Sequence, residues 1–261
     1  MSEDVAAPYY RDISGESALF RKAYARHLPL MIKGPTGAGK SRFVEAMAHA
    51  LERPLVTVAC HEDTSATDLL GRFLVRGGDT VWQDGPLTRG VRQGAIVYLD
   101  EIAEAREDVI AVIHPLTDHR RELYIDKINE KLQAPREFML VVSFNPGYQR
   151  RLKQLKPSLR QRFIALRFDY PAPEIEAEIV AREAGVEPAT ARRLVDLAAR
   201  IRKLEELGLT ETVSTRLLVY AGTVIAAGVP PRQACELAIG QPLSDDGDVV
   251  QTIRDLAALV F

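Results

Sequence analysis

The chain has 261 residues, of which 46% are hydrophobic and 27% charged, and its formal net charge is −2. That is enough chain for one large domain, or a domain with a smaller companion, and the mild acidity argues against bulk nucleic-acid binding. No apolar run approaches a membrane span, and MSEDVAAPYYRD carries acids where a secretory leader needs a basic start, so no membrane insertion is expected and the cytoplasm is the expected compartment.

Met1 to Asp12 reads as an arm with Tyr9 and Tyr10 as anchors, and Ser14 to Tyr24 as a helix capped by Ser14. Leu28 to Lys33 is a short apolar run of the buried-strand kind. It runs into Gly34-Pro35-Thr36-Gly37-Ala38-Gly39-Lys40-Ser41, which matches G-x-x-x-x-G-K-[ST] at every fixed position. A loop that wraps a triphosphate must bring backbone N–H groups close to anionic oxygens, and glycine permits that approach. Lys40 supplies a mobile cation for the β- and γ-phosphates, and the Ser41 hydroxyl can ligate Mg²⁺. Phe43, Met47, Ala50 and Leu51 then repeat at helical spacing, so a helix starting at Lys40 would aim its N-terminus at the phosphates.

Arg53-Pro54 ends that helix, and Leu55 to Cys60 is expected to be a second buried strand. Ser65 to Leu70 is a helix start, with Thr64 or Ser65 as cap and Asp68 in the first turn. Gly71 to Gly85 fits either a hairpin, with Phe73 to Val75 and Val81-Trp82 flanking Gly77-Gly78-Asp79, or a surface loop. Pro86 to Gln93 resumes as helix. Ala95 to Leu99 is a third buried strand ending in Asp100-Glu101. A strand core cannot hold two unpaired carboxylates, so both belong at the strand exit, where nucleotides bind to parallel sheets. There Asp100 can hold the Mg²⁺ shell and Glu101 can polarise a water, although two acids opening a helix would look the same in isolation.

Arg106 to Leu116 reads as a helix, Glu122 to Ala134 as a second hairpin and Phe138 to Phe144 as a fourth strand. That strand ends in Asn145-Pro146-Gly147, where the amide can hold an attacking water or merely open a turn. Gln149 to Arg162 has six cations and no acid. A solvated face, a nucleic-acid patch and a source of arginines for a neighbour's nucleotide all fit it. The run lacks the interleaved aromatics that stack single strands. Ile164 to Phe168 is a fifth strand, and Tyr170-Pro171-Ala172-Pro173 is a linker. Beyond it Ile175 to Ala184, Ala189 to Leu207, Thr215 to Ala227 and Arg232 to Ile239 read as helices, with Gly185, Gly208 and Gly228 near their ends. Arg216 sits in the first turn of one of them, a poor place for a cation unless an anion comes near. Cys60 and Cys235 have no C-x-x-C partner and read as reduced, buried thiols.

This series of strands, phosphate loop, acids, polar residue and helical lid resembles an AAA+ ATPase, and the two hairpin insertions resemble the MoxR branch. GPTGAGKSRFVE, DLLGRFL, WQDGPLTRGVRQGAIVYLDEIAEAR, HPLTDHRREL, SFNPGYQ, LKPSLRQRF and STRLLVYAG are similar to the CbbQ/NirQ/NorQ family over nearly the whole chain. The resemblance implies an α/β fold, a P-loop core with a parallel five-stranded sheet between helices, and an all-helical C-terminal lid. The core is expected over 1–171, with insertions near 71–85 and 122–134, and the lid over 172–261.

The resemblance also implies roles. Gly34 to Ser41 would be the Walker A loop, Asp100 and Glu101 the Walker B acids and Asn145 sensor 1. Arg160 and Arg162 lie where arginine fingers occur, Arg162 being preferred, and Arg216 would be sensor 2. It further implies ATP and Mg²⁺ as cofactors and a homo-oligomeric ring, taken as a hexamer. The implied partners are a von Willebrand factor A domain adaptor of the CbbO/NorD type and a client enzyme, Rubisco first and nitric oxide reductase as the alternative. A small-molecule kinase shares the phosphate loop but leaves Asp100-Glu101, Asn145 and the lid unexplained. A DNA-processing motor rests on the basic run alone, and a non-hydrolysing scaffold sits badly with Glu101.

Overall fold

Five short apolar runs form one parallel sheet because helical crossovers cover both of its faces. In the computed structural model, which describes residues 7–146, 155–204 and 212–261, the strand order is β2-β5-β8-β1-β9. These strands are β1 (Leu30–Lys33), β2 (Leu55–Ala59), β5 (Ile96–Asp100), β8 (Met139–Phe144) and β9 (Ile164–Arg167). β1 lies between β8 and β9, with Leu30 opposite both Val141 and Ile164. The chain therefore leaves β1 at the point where the strand order reverses, the usual ligand position in such sheets. The inner strands are buried up to their last residues, Lys33 of β1 and Asp100 of β5 being half-buried, whereas β2, expected to be buried, is an edge strand whose Thr57 and Ala59 are exposed. It pairs on one side only, with β5.

Around this sheet lie α1 (Glu16–Ala25), α2 (Lys40–Ala50), α3 (Ala66–Leu70), α4 (Pro86–Gln93), α5 (Glu107–Ile113) and α6 (Pro157–Arg160). α1 begins differently from expectation. Gly15, at φ 81°, is its N-cap, and Asp12 accepts the N–H groups of Gly15 and Ser17 at 2.7 and 3.1 Å. Ser14 instead donates to Glu16, through both its N–H and its hydroxyl. In α3, Ser65 and Asp68 form a reciprocal capping box. α4 packs so closely on β5 that a Cβ at Gly90 would lie 2.2 Å from Val97 Cγ2.

Both hairpins form. β3 (Gly71–Arg76) pairs with β4 (Asp79–Asp84), and β6 (Glu122–Ile125) pairs with β7 (Glu130–Gln133). Phe73 and Trp82 face each other edge to face at 5.2 Å. Tyr10 of the arm rests on Phe43 at 5.1 Å.

The elements described so far form one compact unit, Met1–Gly34 with Lys40–Arg167. The other unit gathers Pro35–Gly39 with Phe168–Phe261, so the boundary precedes the expected 171/172. Its helices are α7 (Pro173–Ala184), α8 (Pro188–Lys203), α9 (Thr215–Ala226), α10 (Pro231–Cys235), α11 (Gln241–Leu243) and α12 (Gly247–Val260). Pro173, placed in the linker by sequence, is the first residue of α7, where a missing N–H costs nothing. A wide π turn over Glu236–Gly240 joins α10 to α11. It precedes Pro242, which lacks the N–H an α-helix would direct to Ala238.

α12 was not expected. Asp246 caps it, and Val250, Ile253 and Ala257 bury its inner face. The core of this unit includes Val180, Leu194, Leu197, Leu218, Ile239 and Ile253. Cys60 and Cys235 are free and buried, each in a different unit, and burial pushes both thiols up to about 12. Among the described residues, no helix is long and apolar enough to cross a membrane.

Candidate nucleotide site

In the first unit the site is built where β1, β5 and β8 end. Gly34, just past β1, donates its N–H to Phe144 O at 3.3 Å. Lys40 opens α2, is 6% exposed and donates Nζ to Gly34 O at 2.8 Å. Lys40 thus sets a buried ammonium at the loop that follows β1. Ser41 follows, and its hydroxyl reaches Asp100 Oδ2 at 3.3 Å and lies 3.5 Å from Tyr98 OH.

Asp100 closes β5 and gathers hydroxyls. Tyr98, two residues earlier on the same strand face, donates to Oδ1 at 2.7 Å, and Ser143 of β8 donates to the same oxygen. β5 and β8 pair Leu99 with Val142, so the next step of the register sets Asp100 opposite Ser143. Burial, then the Asp100 charge, drives the Tyr98 phenol well above its ordinary range, so it stays a donor. Ser143 Oγ also accepts the Glu101 N–H at 3.2 Å. Glu101 adopts φ 53°, ψ 46°, a left-handed conformation costing a non-glycine residue about 1–2 kcal/mol. Such strain persists where the surroundings enforce it, commonly at functional sites. Asn145, one residue past β8, is 7% exposed.

Around Cys60 the chemistry is silent. Its N–H donates to Asp100 O at 2.9 Å, but burial, reinforced by Asp100 and Glu101, keeps the thiol protonated. A hydroxyl and a carboxylate at the mouth of a parallel sheet form a hard oxygen set that fits Mg²⁺, which keeps most of its own waters.

Arg160 ends α6 and is half-buried, with no side-chain partner among the described residues. Arg162 donates Nη1 to Asp118 Oδ2 at 3.1 Å, with His114 O at 3.5 Å, and its side chain is 33% exposed. Hydrogen bonds from Arg120 above all, with Arg162 contributing, hold the Asp118 carboxyl well below the usual carboxylate range. Lys156 pairs with Glu107 at 3.3 Å. The described part of the basic run is thus partly compensated, and residues 149–154 lie outside the described residues.

In the second unit, Gly37 (φ 69°) and Gly39 (φ 85°) are both left-handed. A Cβ on Gly37 would lie 2.5 Å from Ser214 Cβ, so glycine is required there for space as well as conformation. Tyr170 OH donates to Thr36 O at 3.1 Å. Ser214 caps α9 by accepting the Leu217 N–H at 3.4 Å. Arg216 is exposed in the first turn, with no side-chain ion pair or hydrogen bond among the described residues. Sequence reasoning missed Tyr98, Ser143 and Tyr170. Only Tyr98 carried a signal, its two-residue offset from Asp100.

Comparison with known proteins gives the class first. Residues 29–163 match the model of the AAA domain, dynein-related subfamily. Similar solved structures include a Thermotoga maritima RuvB mutant, at TM-score 0.56 and 16% identity over 93% of this chain and 68% of that one. A putative ATPase from Cytophaga hutchinsonii gives TM-score 0.53 and 14% identity over 92% and 89%. At such identities these neighbours speak for the fold alone. The protein is an AAA-domain ATPase with a parallel five-stranded sheet and a helical C-terminal region.

Residues 176–260 match the CbbQ/NirQ/NorQ C-terminal model. Protein CbbQ of Hydrogenophilus thermoluteolus is 56% identical over 97% of this chain and 95% of its own. Protein NorQ of Paracoccus denitrificans is 56% identical over 98% and 95%. The denitrification regulatory protein NirQ of Pseudomonas aeruginosa is 54% identical over 97% and 98%. The chain belongs to the CbbQ/NirQ/NorQ family.

Proposed function

We propose that this ATPase is the motor subunit of an activator that remodels a metabolic enzyme. The observation that carries the reading is near-complete likeness, at 54–56% identity, to family members across both core and lid. In this reading the loop Gly34 to Ser41 wraps the triphosphate of ATP: the N–H groups of Thr36, Gly37, Ala38 and Gly39, with the Lys40 cation, cradle the phosphates, and Pro35, which has no N–H, shapes the turn. Ser41 and Asp100 hold Mg²⁺, which would neutralise charge on the phosphate oxygens. Glu101 polarises the attacking water and Asn145 orients it. Arg162, with Arg160 beside it, reaches a neighbouring subunit's nucleotide in a homo-oligomeric ring, taken as a hexamer. Arg216 follows the γ-phosphate, so phosphate loss moves the lid, and the hairpins pass that motion to partners.

The partners proposed are a von Willebrand factor A domain adaptor of the CbbO/NorD type and, as client, Rubisco in the cytoplasm. Nitric oxide reductase is retained as a second reading because the NorQ and NirQ relatives are as similar as the CbbQ one. The test is reconstitution with adaptor and ATP. Recovery of carboxylation by inhibitor-blocked Rubisco supports the first reading, and restored nitric oxide reduction with no effect on Rubisco supports the second. Neither response, in the presence of adaptor-stimulated hydrolysis, overturns both clients.

A further inference from the structure

Outside the roles assigned above, the second unit holds a buried polar cluster. Glu176 is 0% exposed and binds the Arg202 guanidinium through two bonds of 2.8 Å. Thr215 Oγ1 donates to the same carboxylate at 2.6 Å. Arg202 also donates Nε to Val213 O at 2.9 Å, directly ahead of the Ser214 cap. Its guanidinium then lies 4.2 Å from the centre of the Tyr170 ring. An arginine locked on this many sides is a rigid platform, and an aromatic ring on it is held by cation–π attraction. The Tyr170 hydroxyl is thereby aimed at one backbone group, Thr36 O, at 3.1 Å.

That group matters because of what it is bonded to. Thr36 C=O and Gly37 N–H belong to one trans peptide plane and point in opposite directions. Holding the carbonyl toward Tyr170 fixes the N–H on the far side. Gly37 at φ 69° has no side-chain sterics to resist rotation of that plane, so the loop alone does not fix the direction. We infer that Tyr170, seated on Arg202, is a positioning residue for nucleotide phosphate binding, setting the orientation of the Thr36–Gly37 peptide. The inference rests on the reading of Gly34 to Ser41 as the phosphate cradle.

The test compares wild type, Tyr170→Phe and Lys40→Ala in titrations with ADP and with adenosine, alongside the melting temperature of each nucleotide-free protein. Tyr170→Phe keeps the ring on Arg202 and removes only the hydroxyl. One hydrogen bond corresponds to about a threefold to tenfold change in dissociation constant. The expected result is ADP binding weakened by that factor, unchanged adenosine binding and a nucleotide-free melting temperature lowered by no more than the loss of one hydrogen bond allows. Unchanged ADP affinity overturns the inference. An equal loss for adenosine also overturns it, since Tyr170 would then read the base or sugar. Wild-type ADP affinity in Lys40→Ala would instead bring down the cradle reading itself.

Discussion

Ser143 donates its hydroxyl to the Asp100 carboxylate across the β5–β8 pairing, and the same oxygen accepts the Glu101 N–H at 3.2 Å. One buried hydroxyl therefore fixes the two acids proposed to act on ATP, one through its side chain and the other through its backbone. Ser143→Ala should lower the ATP turnover rate by about tenfold or more, the equivalent of one hydrogen bond to a charged group, with a smaller change in ATP affinity. Ser143→Thr should recover most of the rate. Phosphate release and nucleotide titration on both variants check this. Equal losses in the two would mean that the site is sensitive to volume and not to the hydroxyl.

Glu101→Gln should retain ATP binding and hydrolyse at least ~10²-fold more slowly, since a positioned base contributes about 10² to 10⁴. The substitution is isosteric and leaves the left-handed backbone at φ 53° under the same constraint. Near-normal phosphate release would show that Glu101 only shapes the turn after β5.

The arm predicts a pH effect on stability. Burial works against ionisation of Glu16. Hydrogen bonds from the Tyr10 hydroxyl and the Ile13 and Ser14 N–H groups outweigh it, and its pKa falls from 4.5 to about 2. A carboxyl depressed on folding contributes stability that is present above its unfolded pKa and lost as pH falls through the folded one. Glu16→Gln should therefore destabilise the protein at neutral pH, and the gap to wild type should narrow between about pH 4.5 and 2. Chemical denaturation at several pH values measures that gap. A gap that stays constant across this window would contradict the account.

What was legible in the sequence was what is local. The β1–loop–α2 run declares itself because its fixed glycines, Lys40 and Ser41 are contiguous. The Asp100-Glu101 pair shows because carboxylates interrupt an apolar strand. Ser143 was hidden because its role comes from register between strands 43 residues apart in sequence. Tyr170 was hidden because its partner, the Thr36 carbonyl, is 134 residues away. The α1 start misled because Asp12 accepts the Gly15 and Ser17 N–H groups, while Ser14 is itself a donor, through N–H and hydroxyl, to Glu16. The edge position of β2 is a matter of strand order, which its apolar composition does not encode.

Hydrolysis is proposed to need a residue from a second subunit, and Arg162 decides it. Asp118 holds the guanidinium at 3.1 Å within its own chain while leaving it partly exposed, as a group presented to a neighbour must be. Arg162→Ala should bind ATP and lose hydrolysis, and Lys40→Ala should lose ATP binding. In a mixed ring a Lys40→Ala subunit can lend its intact Arg162 to the functional loop of an Arg162→Ala neighbour. The decisive measurement is the ATPase rate of the two variants mixed, after subunit exchange is verified by mass, with Arg160→Ala tested in the same way. The account predicts activity above that of either variant alone. No gain in exchanged rings, while wild-type and Lys40→Ala mixtures retain activity, would contradict it.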